Sequence, residues 1–348
     1  MKKTFDVLVL MHDFLLPKKR TSKRGRLHRD KTPWITEYDV LKAIKDLGHR
    51  PFPLGLGNDL DKINGAVRDL NPHLIFNMME NFKGDRLFES NLVSFLELQE
   101  LPYTGCNPRG LSLARDKGLA KKILSYNNLA TPKFCISLRG SSLQKKELKT
   151  LNFPLIVKCL TEESSFGLCK SSIVKNEKKL FERLNYVHHK LNSDAIIEEF
   201  IEGKELSIGV LGNSTLETLP ICEVSFRKCS NPLKEIYTSL AKWNPAYQKK
   251  KGIKAKKARL SKEKEKEIKN MAKKCFIELQ LNGYARLDLR MAENGQVYII
   301  EVNPNPGITA DCEFATAAKW AGITYPQLIQ KILNLGLDWN PQGQKDAA

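Results

Sequence analysis

Residues 283–309 restrict the fold more than any other part of the chain. Two runs of alternating apolar residues flank Asn294-Gly295, the dipeptide that most strongly marks a tight hairpin turn, because the central residues of such a turn need positive φ. A two-residue turn at this point sets Asp288 against Glu301 and Arg286 against Asn303. Strand alternation then puts these four on one face and Leu287, Leu289, Ile300 and Val302 on the other. Like charges placed opposite each other destabilise a sheet, so an Asp-Glu pair with an Asn two residues on implies a shared proton or a cation. Oxygen-only ligands favour Mg²⁺ or Mn²⁺, which makes Asp288, Glu301 and Asn303 candidate metal ligands. A surface hairpin with scattered charges is the plainer alternative, but it leaves the continuity of the apolar face unexplained.

Upstream, the apolar run 5–11 reads as a buried first strand. A helix follows at 36–47 with Gly48 in the C-cap position, then a strand at 51–54, a helix at 59–70, a strand at 73–77, a helix at 87–99 and a strand at 102–104. That alternation predicts a Rossmann-like open sheet. After a helix at 117–125 the pattern changes to short strands at 133–136, 155–159, 170–174, 195–200 and 205–211, with one helix at 177–190, which is an α+β arrangement. A strand at 217–224, a polar stretch at 231–261, a helix from Ser261 to Gln280 and the hairpin follow. Residues after Leu337 read as a tail.

Of the 348 residues, 41% are hydrophobic and 28% charged, as in ordinary globular proteins. No apolar run approaches the roughly 18 residues of a membrane span, and no signal-peptide pattern is present, so a cytoplasmic location is expected. The eight cysteines form no C-x-x-C pair and read as reduced thiols. The net charge of +18 is concentrated: 18–31 carries eight basic residues against one acid, and 242–274 carries fourteen against three. These segments are either solvated surface or a means of attracting an anionic substrate, nucleic acid or lipid.

The motifs together resemble the ATP-grasp superfamily, and within it the D-alanine-D-alanine ligase-like branch, over nearly the whole chain. Leu101-Pro-Tyr-Thr-Gly105, Arg115-Asp-Lys117, Pro154-Leu-Ile-Val-Lys158, Glu162-Glu-Ser-Ser-Phe-Gly167, Glu198-Glu-Phe-Ile-Glu-Gly-Lys-Glu205 and the hairpin carry the likeness. It implies an N-terminal Rossmann-like substrate domain (1–110), a central ATP-grasp subdomain (111–200), a C-terminal ATP-grasp subdomain with the metal site (201–336) and a tail (337–348). By the same resemblance Lys117, Lys158, Ser164 and Ser165 contact ATP phosphates, Glu198, Glu199, Phe200 and Ile201 hold adenine, and Glu205 binds ribose. Arg286 and the Gly307 amide stabilise the transferred phosphate and the oxyanion, Glu37 orients the first substrate's ammonium, and Lys242 closes over the γ-phosphate.

The implied activity is an ATP- and Mg²⁺-dependent joining of a carboxylate to an amine through an acyl-phosphate. Small-molecule or peptide substrates, an anionic substrate drawn by the basic segments, and a homodimer are further expectations. Rivals are a ligase that modifies a protein or peptide, and a scaffold binding nucleic acid or anionic membrane; the complete metal set speaks against the latter. The sequence departs from the D-alanine pattern at Asn77-Met-Met-Glu80, at Glu163 and at Ala310-Asp-Cys-Glu-Phe314. These changes bear on what is joined rather than on ATP activation.

Overall fold

The computed structural model describes residues 3–18, 32–141, 143, 145–162, 165–231 and 235–341. The first basic segment beyond Lys18, Ser164 and the tail after residue 341 lie outside them. The chain opens with β1 (Asp6–His12), α1 (Ile35–Asp46), β2 (Arg50–Leu56), α2 (Asp61–Leu70), β3 (Leu74–Asn77) and α3 (Phe88–Leu98). β1 lies between β2 and β3 and runs parallel to both, because each parallel pairing needs a crossover helix. Its interior, from Val7 to Met11, is fully buried, as a strand covered on both faces must be. The strand expected at 102–104 reduces to a single bridge between Tyr103 and Ile75.

α4 (Pro108–Arg115), which the sequence reading missed, and α5 (Lys117–Tyr126) begin the next region, capped by the Asn107 and Asp116 side chains. β4 (Phe134–Ser137), α6 (Lys145–Leu148), β5 (Leu155–Cys159), β6 (Ile173–Val174), α7 (Glu177–His189) and β7 (Ala195–Glu199) follow. The strands form an antiparallel sheet in the order β4-β7-β5-β6. Leu180, Leu184 and Val187 of α7 pack on it against Val157 and Ile197. The strand expected at 170–174 keeps only its last two residues, because 170–172 close a 3₁₀ turn.

The remaining elements are β8 (Gly203–Gly212), β9 (Leu216–Thr218), β10 (Cys222–Phe226), α8 (Ser239–Trp243), α9 (Pro245–Lys251), β11 (Ile253–Lys257), α10 (Lys262–Glu278), β12 (Gly283–Ala292), β13 (Val297–Pro304), α11 (Glu313–Trp320) and α12 (Tyr325–Leu337). Their sheet runs β11-β10-β8-β12-β13, with β9 on β8. β8 therefore does not belong with the short strands before it: all ten of its residues pair with β12. The strand expected at 217–224 is two strands, broken around Pro220, which has no N–H to donate to a ladder. The polar stretch 231–261 contains α8, α9 and β11. Among the described residues no helix is long and apolar enough to cross a membrane, and all eight cysteines are free.

The β12–β13 hairpin reaches the expected pairing by an unexpected route. The turn is not a two-residue one: Ala292 N donates to Gln296 O and Gly295 N to Ala292 O, both at 2.9 Å. Residues 293–295 form a three-residue loop with Gly295 at φ +83°. This shifts the register by one, so that Leu289 faces Ile299. A bulge after Asp288 shifts it back, and Asp288 faces Glu301 and Arg286 faces Asn303. In consequence Ile299, not Ile300, joins Leu287, Leu289 and Val302 in the core. The bulged Ile300 lines the cleft instead.

The end of the hairpin is fastened to the first region. Asn305 Oδ1 accepts from Cys106 N at 2.8 Å and stands 2.7 Å from where a Cβ on Gly105 would lie, and Gly105 itself sits at φ +102°, a backbone conformation that favours glycine. Asn282, 2% exposed, accepts from Asn107 N at 2.6 Å and Nδ2 at 2.7 Å.

Candidate active site

A solvent-open cleft separates the four-stranded sheet from the β8–β12–β13 face, with about 790 Å³ of empty space when the open solvent at its mouth is included. β5 contributes Lys158, the end of β7 and its exit contribute Glu198, Glu199, Phe200 and Ile201, and β8 contributes Glu205. Lys117 enters from the first turn of α5, Lys242 from α8, and Asp288 and Glu301 from the hairpin.

The lysines at one end are held by carboxylates. Lys117 Nζ lies 3.0 Å from Glu301 Oε1 and also donates to the Glu162 carbonyl. Lys158 Nζ bonds Glu198 Oε2 at 2.9 Å, and Lys121 Nζ lies 3.5 Å from the other oxygen of Glu198. Glu198 is 1% exposed and Lys121 2%, so this three-member group is a core feature and the Glu198 carboxylate is committed to lysines. Burial opposes ionisation of Glu198, but Lys121 and Lys158 outweigh it and hold its pKa below the ordinary value. Burial likewise opposes the charge on Glu301, yet Lys117, Lys242 and Lys158 bring its pKa down to about 2. Glu199 points elsewhere, accepting from Asn152 N at 2.9 Å and Nδ2 at 3.0 Å.

Glu205 is the exception, since burial raises its pKa despite Arg290 and Lys242 nearby. Arg290 Nη2 bonds it at 3.1 Å, and Nη1 donates to the Ile201 carbonyl at 2.7 Å. The same guanidinium stacks 4.9 Å from the Phe200 ring centre. Ser165, at φ +61°, gives its hydroxyl to the Tyr237 carbonyl at 3.2 Å.

On the hairpin, Arg286 grips Asp288 with two bonds, Nε–Oδ1 at 2.7 Å and Nη2–Oδ2 at 3.0 Å, and Asn303 Nδ2 reaches Oδ2 at 3.1 Å. Burial disfavours the Arg286 charge, but Asp288, Glu313 and Glu301 outweigh that and raise its pKa. Among the described residues no three His, Cys, Asp or Glu side chains converge as a metal cluster. The candidate set is two carboxylates and an amide, hard oxygen donors on one face, and that chemistry suits a divalent cation such as Mg²⁺.

Glu37 and Gly307 do not line this cleft but lie where α1 meets the segment after β13. Thr36 Oγ1 and Thr309 Oγ1 are 2.7 Å apart, and Asp39 Oδ2 accepts from Ala310 N at 3.0 Å. Glu37 is 5% exposed and its Oε2 has no partner. Gly307 is exposed, with its carbonyl accepting from Cys312 Sγ at 2.9 Å; a Cβ there would meet nothing within 4 Å. The sequence reading overlooked Lys121 and Arg290, although each repeats the position of a chosen residue: Lys121 is one helical turn after Lys117, and Arg290 continues the alternation of Arg286 and Asp288.

Residues 122–334 match the family model described as D-ala D-ala ligase C-terminus. The chain is 32% identical over 307 residues to the uncharacterized protein y4sG of Sinorhizobium fredii, covering 85% of each chain. It is 30% identical over 257 residues to the D-alanine–D-alanine ligase of Desulforamulus reducens, covering 72% of this chain and 78% of that one. In fold it is similar to the D-alanine–D-alanine ligase of Bacillus anthracis complexed with ATP, with a TM-score of 0.74, 22% identity, and coverage of 99% of this chain and 100% of that one.

Proposed function

The chain belongs to the D-alanine–D-alanine ligase family, with the ATP-grasp fold, and from that premise we propose that it joins a carboxylate to an amine at the expense of ATP. The observation that carries this reading is one cleft with Lys117, Lys158 and Lys242 at the end where Asp288 and Glu301 face each other. Lysines supply charge to a polyphosphate, Glu205 offers paired acceptors to a ribose diol, and Phe200 with the 198–201 backbone forms a wall for adenine. Asp288, Glu301 and the Asn303 amide oxygen would hold Mg²⁺, which when bound neutralises phosphate charge.

In the proposed sequence a carboxylate oxygen of the first substrate attacks the γ-phosphorus of ATP. ADP departs and an acyl-phosphate forms. The amine nitrogen of the second substrate then attacks the acyl carbon, the carbon–oxygen bond to phosphate breaks, and an amide, inorganic phosphate and a proton result. Arg286 would meet the charge developing on the transferred group and on the tetrahedral oxygen, and the Gly307 N–H would assist it. Glu37 would hold the first substrate's ammonium.

ADP release measured with pooled amino acids and dipeptides tests the reaction class. Asp288→Asn and Glu301→Gln should each lower it by about 100-fold or more, the scale of losing a preorganised charge contact. Full release in either variant would remove the metal assignment.

A further inference from the structure

Arg290 lines the cleft, yet the proposed reaction gives it no part. It stands on β12 directly across from Glu205 on β8 and is only 5% exposed. Its guanidinium is held by groups other than Glu205: Nη1 donates to the Ile201 carbonyl at 2.7 Å, Nη2 donates to the Glu235 carbonyl, and the group lies 4.9 Å from the Phe200 ring centre. Two carbonyls and a ring therefore fix the guanidinium wherever the Glu205 side chain turns. The remaining contact, Nη2 to Glu205 Oε2 at 3.1 Å, ties a side chain that would otherwise sample several rotamers to a stationary partner. Among the described residues Oε2 alone carries a hydrogen bond, so Oε1 and the second lone pair of Oε2 are left to hydroxyl donors. Lys242 also acts on Glu205 through its charge, but an ammonium that is not bonded to the carboxylate sets no orientation.

We infer that Arg290 is a positioning residue that locks Glu205 in one orientation, and thereby makes the cleft select a ribonucleotide over a deoxyribonucleotide. The inference deepens the ATP reading of the cleft and rests on it. Selection needs rigidity as well as an acceptor. A carboxylate free to turn would meet water when a hydroxyl is missing and lose little, whereas a locked one is left facing a gap, with the cost of an unpaired acceptor. The forked guanidinium supplies that lock, which a lysine ammonium could not. Because the same group also holds Ile201 and Phe200, its removal loosens the adenine wall as well, and that second effect falls on every adenine nucleotide alike.

The two effects are separated by titrating ADP, 2′-deoxy-ADP and 3′-deoxy-ADP calorimetrically into the full chain with Mg²⁺. ADP should bind about tenfold or more tighter than either deoxy form, the scale of one hydrogen bond to a charged group. Arg290→Met and Arg290→Lys should weaken all three nucleotides and cut the preference for ADP to about threefold or less, since neither variant keeps the fork. Glu205→Gln should cut the preference as far, and Arg290→Met added to it should lower the preference no further, because Arg290 acts on the ribose through Glu205. Melting curves check that each variant folds, and Arg290→Lys, which keeps the charge, stands in if Arg290→Met does not. Equal weakening of all three nucleotides with the preference intact would make Arg290 a packing residue and overturn the inference. So would a further drop in the double variant, or ADP binding to the natural chain with no preference over its deoxy forms. Failure of ADP to bind at all would instead count against the ATP reading itself.

Discussion

At the residue scale, the informative groups are carboxylates whose surroundings pull them in opposite directions. Burial raises the pKa of Glu37, its own backbone N–H opposes this and Glu80 reinforces it, leaving the value at about 7 against an ordinary 4.5. Between those values the folded chain binds more protons at this site than the unfolded one, so stability falls as pH rises through the window and then levels off. The span is worth about 3 kcal/mol at most. Urea unfolding at pH 5 and pH 8 should show this slope, and Glu37→Gln should flatten it. If Glu37 takes an ammonium, the KM of the first substrate should improve as pH rises through 7, because only the ionised carboxylate attracts a cation. Glu198 behaves oppositely, held ionised between Lys121 and Lys158. Glu198→Gln should cost about 2 kcal/mol in urea unfolding, below the usual loss for a broken buried pair. The relief comes from Lys121, whose pKa burial has lowered to about 8, so it can shed its proton near neutrality. None of this was legible in the sequence. Glu198 was read as an adenine contact, and its tie to two lysines depends on the way β7 lies beside β5 and α5.

At the element scale, the hairpin shows what alternation can and cannot determine. The facing of Asp288 with Glu301 was readable because apolar residues fix which face turns inward. The loop length was not, since a three-residue loop plus a bulge gives the same pairing as a two-residue turn. Ile299 and Ile300 are chemically identical neighbours, so composition could not say which enters the core. The loop makes a specific demand at Gly295, where φ is +83° and the nearest atom to an added Cβ is Lys264 Nζ at 3.9 Å. Space is therefore not the constraint and conformation is. Gly295→Ala should lower stability by about 1 kcal/mol while leaving ADP release per folded molecule unchanged. Thermal unfolding together with the activity assay checks both halves. By local pattern the strand at 205–211 reads with the short strands before it, although the division at 200/201 implied by the resemblance separates them. Local pattern identifies a strand, but pairing with β12 is a long-range choice.

At the scale of the whole molecule, the excess positive charge divides into parts with different meanings. Much of the segment 242–274 is ordinary solvated surface: Lys256 pairs with Glu223 at 2.9 Å, Lys264 with Glu267 at 2.6 Å and Lys269 with Glu265 at 2.8 Å. Lys242, within the same segment, belongs to the cleft. The cleft itself is built from both larger sheets, since Lys158 and Glu198 come from one and Glu205, Asp288 and Glu301 from the other. A nucleotide lying there touches both and stabilises the folded chain by linkage. At a hundred times its Kd the gain is about 2.7 kcal/mol, or several degrees in Tm for a chain of this size. If the hairpin acids hold Mg²⁺ against the phosphates, part of the Tm rise given by a non-hydrolysable ATP analogue should vanish with a chelator, and Asp288→Asn should lose that same part and no more. An equal rise with and without the chelator would mean that the lysines alone secure the phosphates. The pairing of Asp288 with Glu301 would then need another cation, with Arg286 and Lys117 the two already in place.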